Sequence, residues 1–244
     1  MSAELRVFHQ RTDRTNFGQD NGSNRDNWVK EQLSLIPAGK RLLDAGAGEL
    51  RYKPFCNHLQ YVSQDFCQYT GTGDGQGLQT GQWDTSRIDI VSDIAAIPEP
   101  DASFDAILCT EVLEHVPKPE AAIHEFSRLL CSGGILILTA PFCSLSHFAP
   151  YHFSTGFNRY WYEEVLKDTF DEITIVPNGD YFSYMAQELY RIDSMGQKYA
   201  EKGLGIIGKI ARNILLHYLW NMSMADKGSF EVLCFGYHVT ARKI

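Results

Sequence analysis

Residues 41–48 read RLLDAGAG. A short apolar run, Leu42-Leu43, meets an acid at Asp44 and then turns through Gly46 and Gly48. Two glycines let the backbone turn tightly and approach a ligand closely. A helix following them would aim its N-terminal amides at that ligand. The third glycine of a G-x-G-x-x-G fingerprint is absent, because that position is Arg51. In that fingerprint the glycines make room for a pyrophosphate and for close helix packing. A nicotinamide dinucleotide, and with it an oxidoreductase, therefore fits this turn poorly.

Further strand-like runs follow outward from the turn: QYVSQD ending at Asp65, IDIVSD over 88–93, FDAILCT over 104–110, ILILTA over 135–140, DEITIV over 171–176 and CFGYHVTARK over 234–243. Trp28, Val29, Gln32, Leu33 and Ile36 have helical spacing and predict a helix over 26–36, ended by Pro37-Ala-Gly39. Pro117 and Pro119 open another helix, with Ile123, Phe126 and Leu130 on one face and Gly133-Gly134 as its stop. Strands separated by helix-length segments predict an α/β fold. It is a Rossmann-like, seven-stranded, mostly parallel sheet with helices on both faces, its last strand antiparallel at or near an edge. Residues 70–82 form a glycine-rich loop.

The polar stretch 1–27 reads as an N-terminal arm or lid, and 28–244 as one domain. Within it, residues 179–229 predict a helical insertion before the last strand. Met185, Leu189 and Ile192 mark one helical face, and Ile206, Ile210, Ile214 and Leu215 another. The insertion reads as a cap, as the surface of a homodimer or as a membrane-surface helix, the last weakened by its few basic residues.

The chain has 244 residues, 44% of them hydrophobic, which suits one α/β domain with an elaboration. Its formal charge is −8 and no Lys/Arg cluster interrupts the acidic balance, so no nucleic-acid partner is expected. Nor is there an Asn/Asp-Pro-Pro-aromatic motif to hold a flipped base. The six cysteines show no C-x-x-C pair and read as thiols of a cytoplasmic protein. The most apolar late stretch, 203–224, is broken by Lys209, Arg212, Asn213 and His217, so no transmembrane segment is expected.

Three acids, Asp44, Asp65 and Asp93, end three strands. In open α/β sheets ligands bind beyond that edge. A carboxylate at Asp65 suits a ribose diol. One at Asp93 suits an adenine amino group, with Ile94 adding a backbone amide and an apolar contact. Asp44 either orders the glycine loop or faces an ammonium group.

In this order, RLLDAGAG, QYVSQD and SDIAAIPEPDASFDAILCTEVLEHVPKPEAAIHEFSRLLCSGGILILTAPF resemble the class I S-adenosylmethionine-dependent methyltransferases, in the group that carries an L-E-H-V segment after the fourth strand. The resemblance covers residues 28–142 and the last strand. It departs in Ala45 and Ala47 and in the long loop between the second and third strands. It implies an enzyme that uses S-adenosyl-L-methionine and releases S-adenosyl-L-homocysteine. By it, Asp44, Ala45, Gly46 and Gly48 meet the methionine end of the cofactor, Asp65 the ribose, and Asp93 and Ile94 the adenine. Thr110 and Glu111 lie beside the methionine moiety. Glu114-His115 recur in that group whatever the substrate, and read as loop anchors.

The stretch PFCSLSHFAPYHFSTGFNRYWYEEVL is similar to the region after the fifth strand in bacterial methyltransferases of surface-polysaccharide biosynthesis. His147, Pro150, Tyr151, His152 and Phe153 carry that likeness. His147 first and His152 second are candidate general bases for a hydroxyl acceptor, since an imidazole titrates near neutrality. A carboxylate acceptor would need no base, and both histidines would then only orient it. Tyr151, Phe153 and Tyr160 offer flat amphipathic surface to an acceptor, while Phe157 and Trp161 read as core. H-x-x-x-x-H without a neighbouring cysteine or carboxylate pair predicts no metal. The expected acceptor is a sugar, nucleotide-sugar or glycan intermediate, with a small natural product or a quinone-type ring as the alternative. A non-catalytic cofactor-binding protein is the rival from another class.

Overall fold

The computed structural model describes residues 14–244. Residues 1–13 of the expected arm lie outside the described residues. Seven strands, β1 Arg41–Ala45, β2 Gln60–Asp65, β3 Ile90–Val91, β4 Phe104–Thr110, β5 Leu130–Pro141, β6 Phe170–Asn178 and β7 Gly236–Lys243, form one sheet in the order β3-β2-β1-β4-β5-β7-β6. The pairs β1–β2, β1–β4, β2–β3 and β4–β5 are parallel, and β7 runs antiparallel to β5. The seven-stranded Rossmann-like sheet expected from the sequence is therefore present. Its order reverses at β1 and β4, the point at which open α/β sheets leave a crevice beyond their C-terminal strand ends.

Strand alternation explains the two buried faces. The registers Leu42↔Ala106 and Leu108↔Ile137 put these four side chains on one face. There they pack with Trp28, Val29 and Leu33 of α1 (Asn21–Leu35). Leu43, Ile107, Leu136 and Leu138 alternate to the opposite face and are equally buried. The helix α2 (Pro119–Leu129) packs on β5 and buries Ile123 and Phe126, and α3 (Arg159–Leu166) buries Tyr162 and Leu166. At roughly 1.5–3 kcal/mol for each fully buried large aliphatic side chain, these two layers are the main source of the unit's stability.

Several boundaries differ from the sequence reading, each for a local reason. Helix α1 begins at Asn21 rather than at residue 26, because its first turn is polar and carries no periodic signal. β3 shrinks from the expected 88–93 to two residues. Asp89 is diverted there: its carboxylate accepts the Ser63 N–H at 2.9 Å and the Ser63 hydroxyl at 2.7 Å. Gly133-Gly134 does not stop α2. That helix ends at Leu129, Leu130 is already extended at ψ 136°, and the glycine pair lies inside β5 near an irregularity opposite Phe104–Ala106. Glycine inside a strand commonly marks such a bulge.

Among the described residues the chain divides into two compact units. Residues 27–176 and 236–244 hold the sheet; residues 14–26 and Pro177–Phe235 form the second unit. In the second unit, α4 (Tyr181–Ala200) starts on a capping box in which Asp180 accepts the Ser183 N–H at 2.7 Å. α4 packs on α5 (Ile206–Met224), which buries no residue fully. The anticipated apolar face of α5 is solvent-facing: Ile206, Ile210, Ile214 and Leu215 are each at least half exposed. No helix among the described residues is long and apolar enough to cross a membrane.

Candidate active site

The turn after β1 is built by its glycines. Gly46 has φ +75°, and a Cβ there would stand 2.4 Å from Cγ2 of Val112. Gly48 has φ +50°, and a Cβ there would meet the Trp83 ring at 3.0 Å. The turn is fastened to the end of β2 rather than to a helix. Gly46 and Ala47 donate their N–H groups to the Gln64 carbonyl at 2.8 and 2.9 Å, and Gly48 donates to the Asp65 carboxylate at 3.0 Å. The helix expected after the glycines is absent; a single 3-10 turn over Lys53–Phe55 stands in its place. The connection from Gly48 to Gln60 is short and carries Pro54.

A cavity of about 540 Å³ opens at this edge. Gly46, Asp65, Asp93, Ile94 and Glu111 line it, so five of the nine expected cofactor residues meet in one place. Asp65 bridges the turn and the next loop, since its second oxygen accepts the Cys67 N–H at 2.8 Å. Glu111 holds a left-handed backbone at φ +54°. It is pinned by its N–H to the Thr139 carbonyl at 2.9 Å and by the Thr139 hydroxyl to its carboxylate at 3.0 Å. A non-glycine residue in that region costs on the order of 1–3 kcal/mol and clusters at ligand sites.

Asp44, Ala45, Gly48 and Thr110 are not on the cavity wall. Asp44 is 2% exposed and accepts the Tyr61 hydroxyl at 2.6 Å. Burial pushes its carboxyl up to about 7, the hydrogen bond from Tyr61 opposes this, and the nearby Asp65 adds to it.

Six aromatic rings share the same wall. Phe148, Tyr151 and Phe153 line it with Phe66, Tyr69 and Trp83. Phe148 stacks on Tyr69 at 4.5 Å and on His115 at 4.8 Å between ring centroids. Tyr69 and Trp83 flank the glycine-rich loop. That loop is paired to the segment after β5: Leu78 donates to the Ser146 carbonyl and receives the Phe148 N–H, both at 3.0 Å, and Asp74 donates to Ala149 at 3.0 Å. Tyr160, expected on the acceptor wall, is instead exposed and packs under the Arg159 guanidinium at 4.2 Å. Phe157 is buried and stacks against Trp161.

His115, absent from the sequence reading of the chemistry, lines the cavity, whereas His147 and His152 stand beside it. The Glu114 carbonyl accepts the N–H groups of Phe153 and Ser154, and His115 Nδ1 meets the Tyr151 carbonyl at 2.5 Å. Glu114-His115 thus ties down the segment 151–154. Burial, and then the neighbouring His147, pull the His115 ring down to about 3, and the same two causes lower His152.

Residues 43–138 match a family described as a methyltransferase domain. The sheet has the fold of the class I methyltransferases. The chain is 36% identical over 118 residues to a ubiquinone biosynthesis O-methyltransferase of Xanthomonas oryzae pv. oryzae, across 47% of this chain and 48% of the relative. The chain thus spans about half the length of the curated relatives it matches. Among solved structures, a methyltransferase described as S-adenosylmethionine-dependent from Archaeoglobus fulgidus aligns with TM-score 0.56 at 12% identity, over 94% of this chain and 97% of that one. The [4+2]-cyclase SpnF aligns with TM-score 0.57 at 17% identity, over 99% of this chain and 87% of that one. These two likenesses establish the fold alone, and the second shows that the fold serves more than one chemistry.

Proposed function

We propose that the protein is an S-adenosylmethionine-dependent O-methyltransferase whose acceptor is a hydroxyl on a flat aromatic ring of the quinol type. The observation that carries this reading is the mixed lining of one cavity. The glycine turn, Asp65 and Asp93-Ile94 share its wall with the rings of Phe66, Tyr69, Trp83, Phe148, Tyr151 and Phe153.

The residues fit the cofactor. Gly46 and Gly48 let the turn hold a left-handed backbone closely against Val112 and Trp83, and Asp65 offers a carboxylate to a ribose diol. Ile94 offers an apolar contact to adenine beside Asp93. The bound cofactor supplies a methyl group already activated on a sulfonium. The chain's own work is to align an acceptor and remove its proton. Alignment contributes on the order of 7–11 kcal/mol when geometry is right. The proton passes to His147 beside the cavity, since burial lowers His115 and His152 and makes them weaker bases.

A sugar, the acceptor first expected, needs hydrogen-bonding side chains aimed at its hydroxyls. The wall offers mostly rings and apolar side chains, Phe66, Phe148, Phe153, Val116 and Pro117 among them, against few neutral polar groups, Gln64, Gln68 and Ser92. The relatives' name, an O-methyltransferase of ubiquinone biosynthesis, supports the same preference.

Calorimetric titration with S-adenosylhomocysteine tests the cofactor half, and transfer of a labelled methyl group to catechols or to nucleotide sugars tests the acceptor half. Micromolar binding with transfer to catechols alone is expected. No binding by folded, cofactor-free protein overturns the whole reading. Transfer to sugars alone overturns the acceptor class.

A further inference from the structure

His115, His147 and His152 come from two separate stretches of chain, yet one ring nitrogen of each lies within 4.8 Å of the others. We propose that these three imidazoles, with the Glu114 carboxylate beside them, form a binding site for a divalent transition-metal ion of the zinc or cobalt class.

Two of the rings are set in one tautomer by the backbone. His115 Nδ1 lies 2.5 Å from the Tyr151 carbonyl and His147 Nδ1 lies 2.8 Å from the Leu145 carbonyl. A carbonyl only accepts, so each Nδ1 carries the hydrogen and each neutral ring keeps a lone pair on Nε2. A carbonyl holding the far nitrogen is the usual support of a metal-bound imidazole. Both Nε2 atoms face the same carboxylate oxygen, Oε1 of Glu114, at 3.7 and 3.9 Å.

His115 Nε2 and both ring nitrogens of His152 are buried without a hydrogen-bond partner among the described residues. Burying a polar nitrogen unpaired costs about 1–3 kcal/mol, and a coordinated ion removes that cost. Three imidazoles and a carboxylate are donors that suit zinc or cobalt rather than magnesium or calcium. Ligands about 2.0–2.1 Å from a tetrahedral ion stand about 3.4 Å apart. The imidazoles therefore need to close by little more than an ångström, within reach of small ring rotations. The sequence reading assigned no metal because it saw only the spacing of His147 and His152; His115 arrives from a 3-10 turn over Leu113–His115.

The test of the site needs no methyl donor, and a bound ion would take the Nε2 lone pair that makes His147 a base. Protein stripped by a chelator is titrated with zinc chloride by calorimetry and with cobalt chloride by visible absorption. One equivalent of zinc, with the intense d–d bands of four-coordinate cobalt, is expected. His147→Ala and His152→Ala should each lower zinc affinity at least tenfold while circular dichroism stays that of the parent. If His147→Ala fails to fold, His147→Gln takes its place. No zinc uptake by the folded parent, the weak cobalt bands of an aquo ion, or parental zinc affinity in both histidine variants each overturns the site. Zinc binding without S-adenosylhomocysteine binding upholds this site and overturns the proposed function; the reverse result does the opposite.

Discussion

Asp44→Asn tests how the first strand is held. The Asp44 carboxyl is 2% exposed, bonded to the Tyr61 hydroxyl at 2.6 Å, and pushed from 3.8 up to about 7 by burial. A raised value means that the folded state holds the proton more tightly than the unfolded chain. The stabilisation from that proton is complete below the unfolded value and is lost as pH rises through the folded one. The full difference corresponds to about 4 kcal/mol, of which about 2.5 kcal/mol falls between about pH 5 and about pH 8. Asparagine keeps the shape and the bond to Tyr61 and never ionises. Unfolding by urea at these two pH values should show the variant gaining about 2–3 kcal/mol on the parent toward the alkaline end. Equal pH dependence in the two proteins would refute the claim that Asp44 titrates inside this pH window.

Asp65→Ala removes the acceptor of two backbone amides as well as a cavity carboxylate, so S-adenosylhomocysteine affinity should fall at least tenfold by calorimetry; equal affinity would mean that Asp65 does not hold the ribose. Gly46→Ala places a methyl 2.4 Å from Val112 on a left-handed backbone. It should lower stability by about 1–3 kcal/mol, and Val112→Ala in the same chain should recover part of that loss in a thermal melt. His147→Ala should retain S-adenosylhomocysteine binding and lower turnover at least tenfold; parental turnover with the acceptor would end its role in proton removal.

The sheet was legible because its signals are local. RLLDAGAG, QYVSQD and FDAILCT carry apolar runs and turn residues at the right spacing, and all three became strands or strand ends. What sequence could not carry was pairing at a distance. Nothing in the glycine-rich loop announces that Leu78 will bond to residues 146 and 148, or that Trp83 will lie against Gly48. Asp44 and Asp65 look alike at two strand ends, yet one turns to Tyr61 and away from the cavity and the other faces it. From sequence His115 reads as an anchor because the Glu114-His115 pair recurs in the resembled group whatever the substrate. Its company with His147 and His152 exists only after folding. The boundary of α1 was missed for the opposite reason, since its opening turn lacks apolar residues and its helicity has no periodic trace.

The short parallel bridge between Leu78 and His147 joins two stretches that both border one cavity. The glycine-rich loop follows the strand that ends at Asp65, and the segment after β5 carries His147, His152 and the cavity rings Phe148, Tyr151 and Phe153. Because they share backbone hydrogen bonds, neither stretch adjusts alone. Whatever settles one of them reduces the disorder the other must give up, so the two occupants of the cavity are linked thermodynamically even without touching. Filling one end first should therefore tighten the other, and the loop's glycines set how much slack that linkage has.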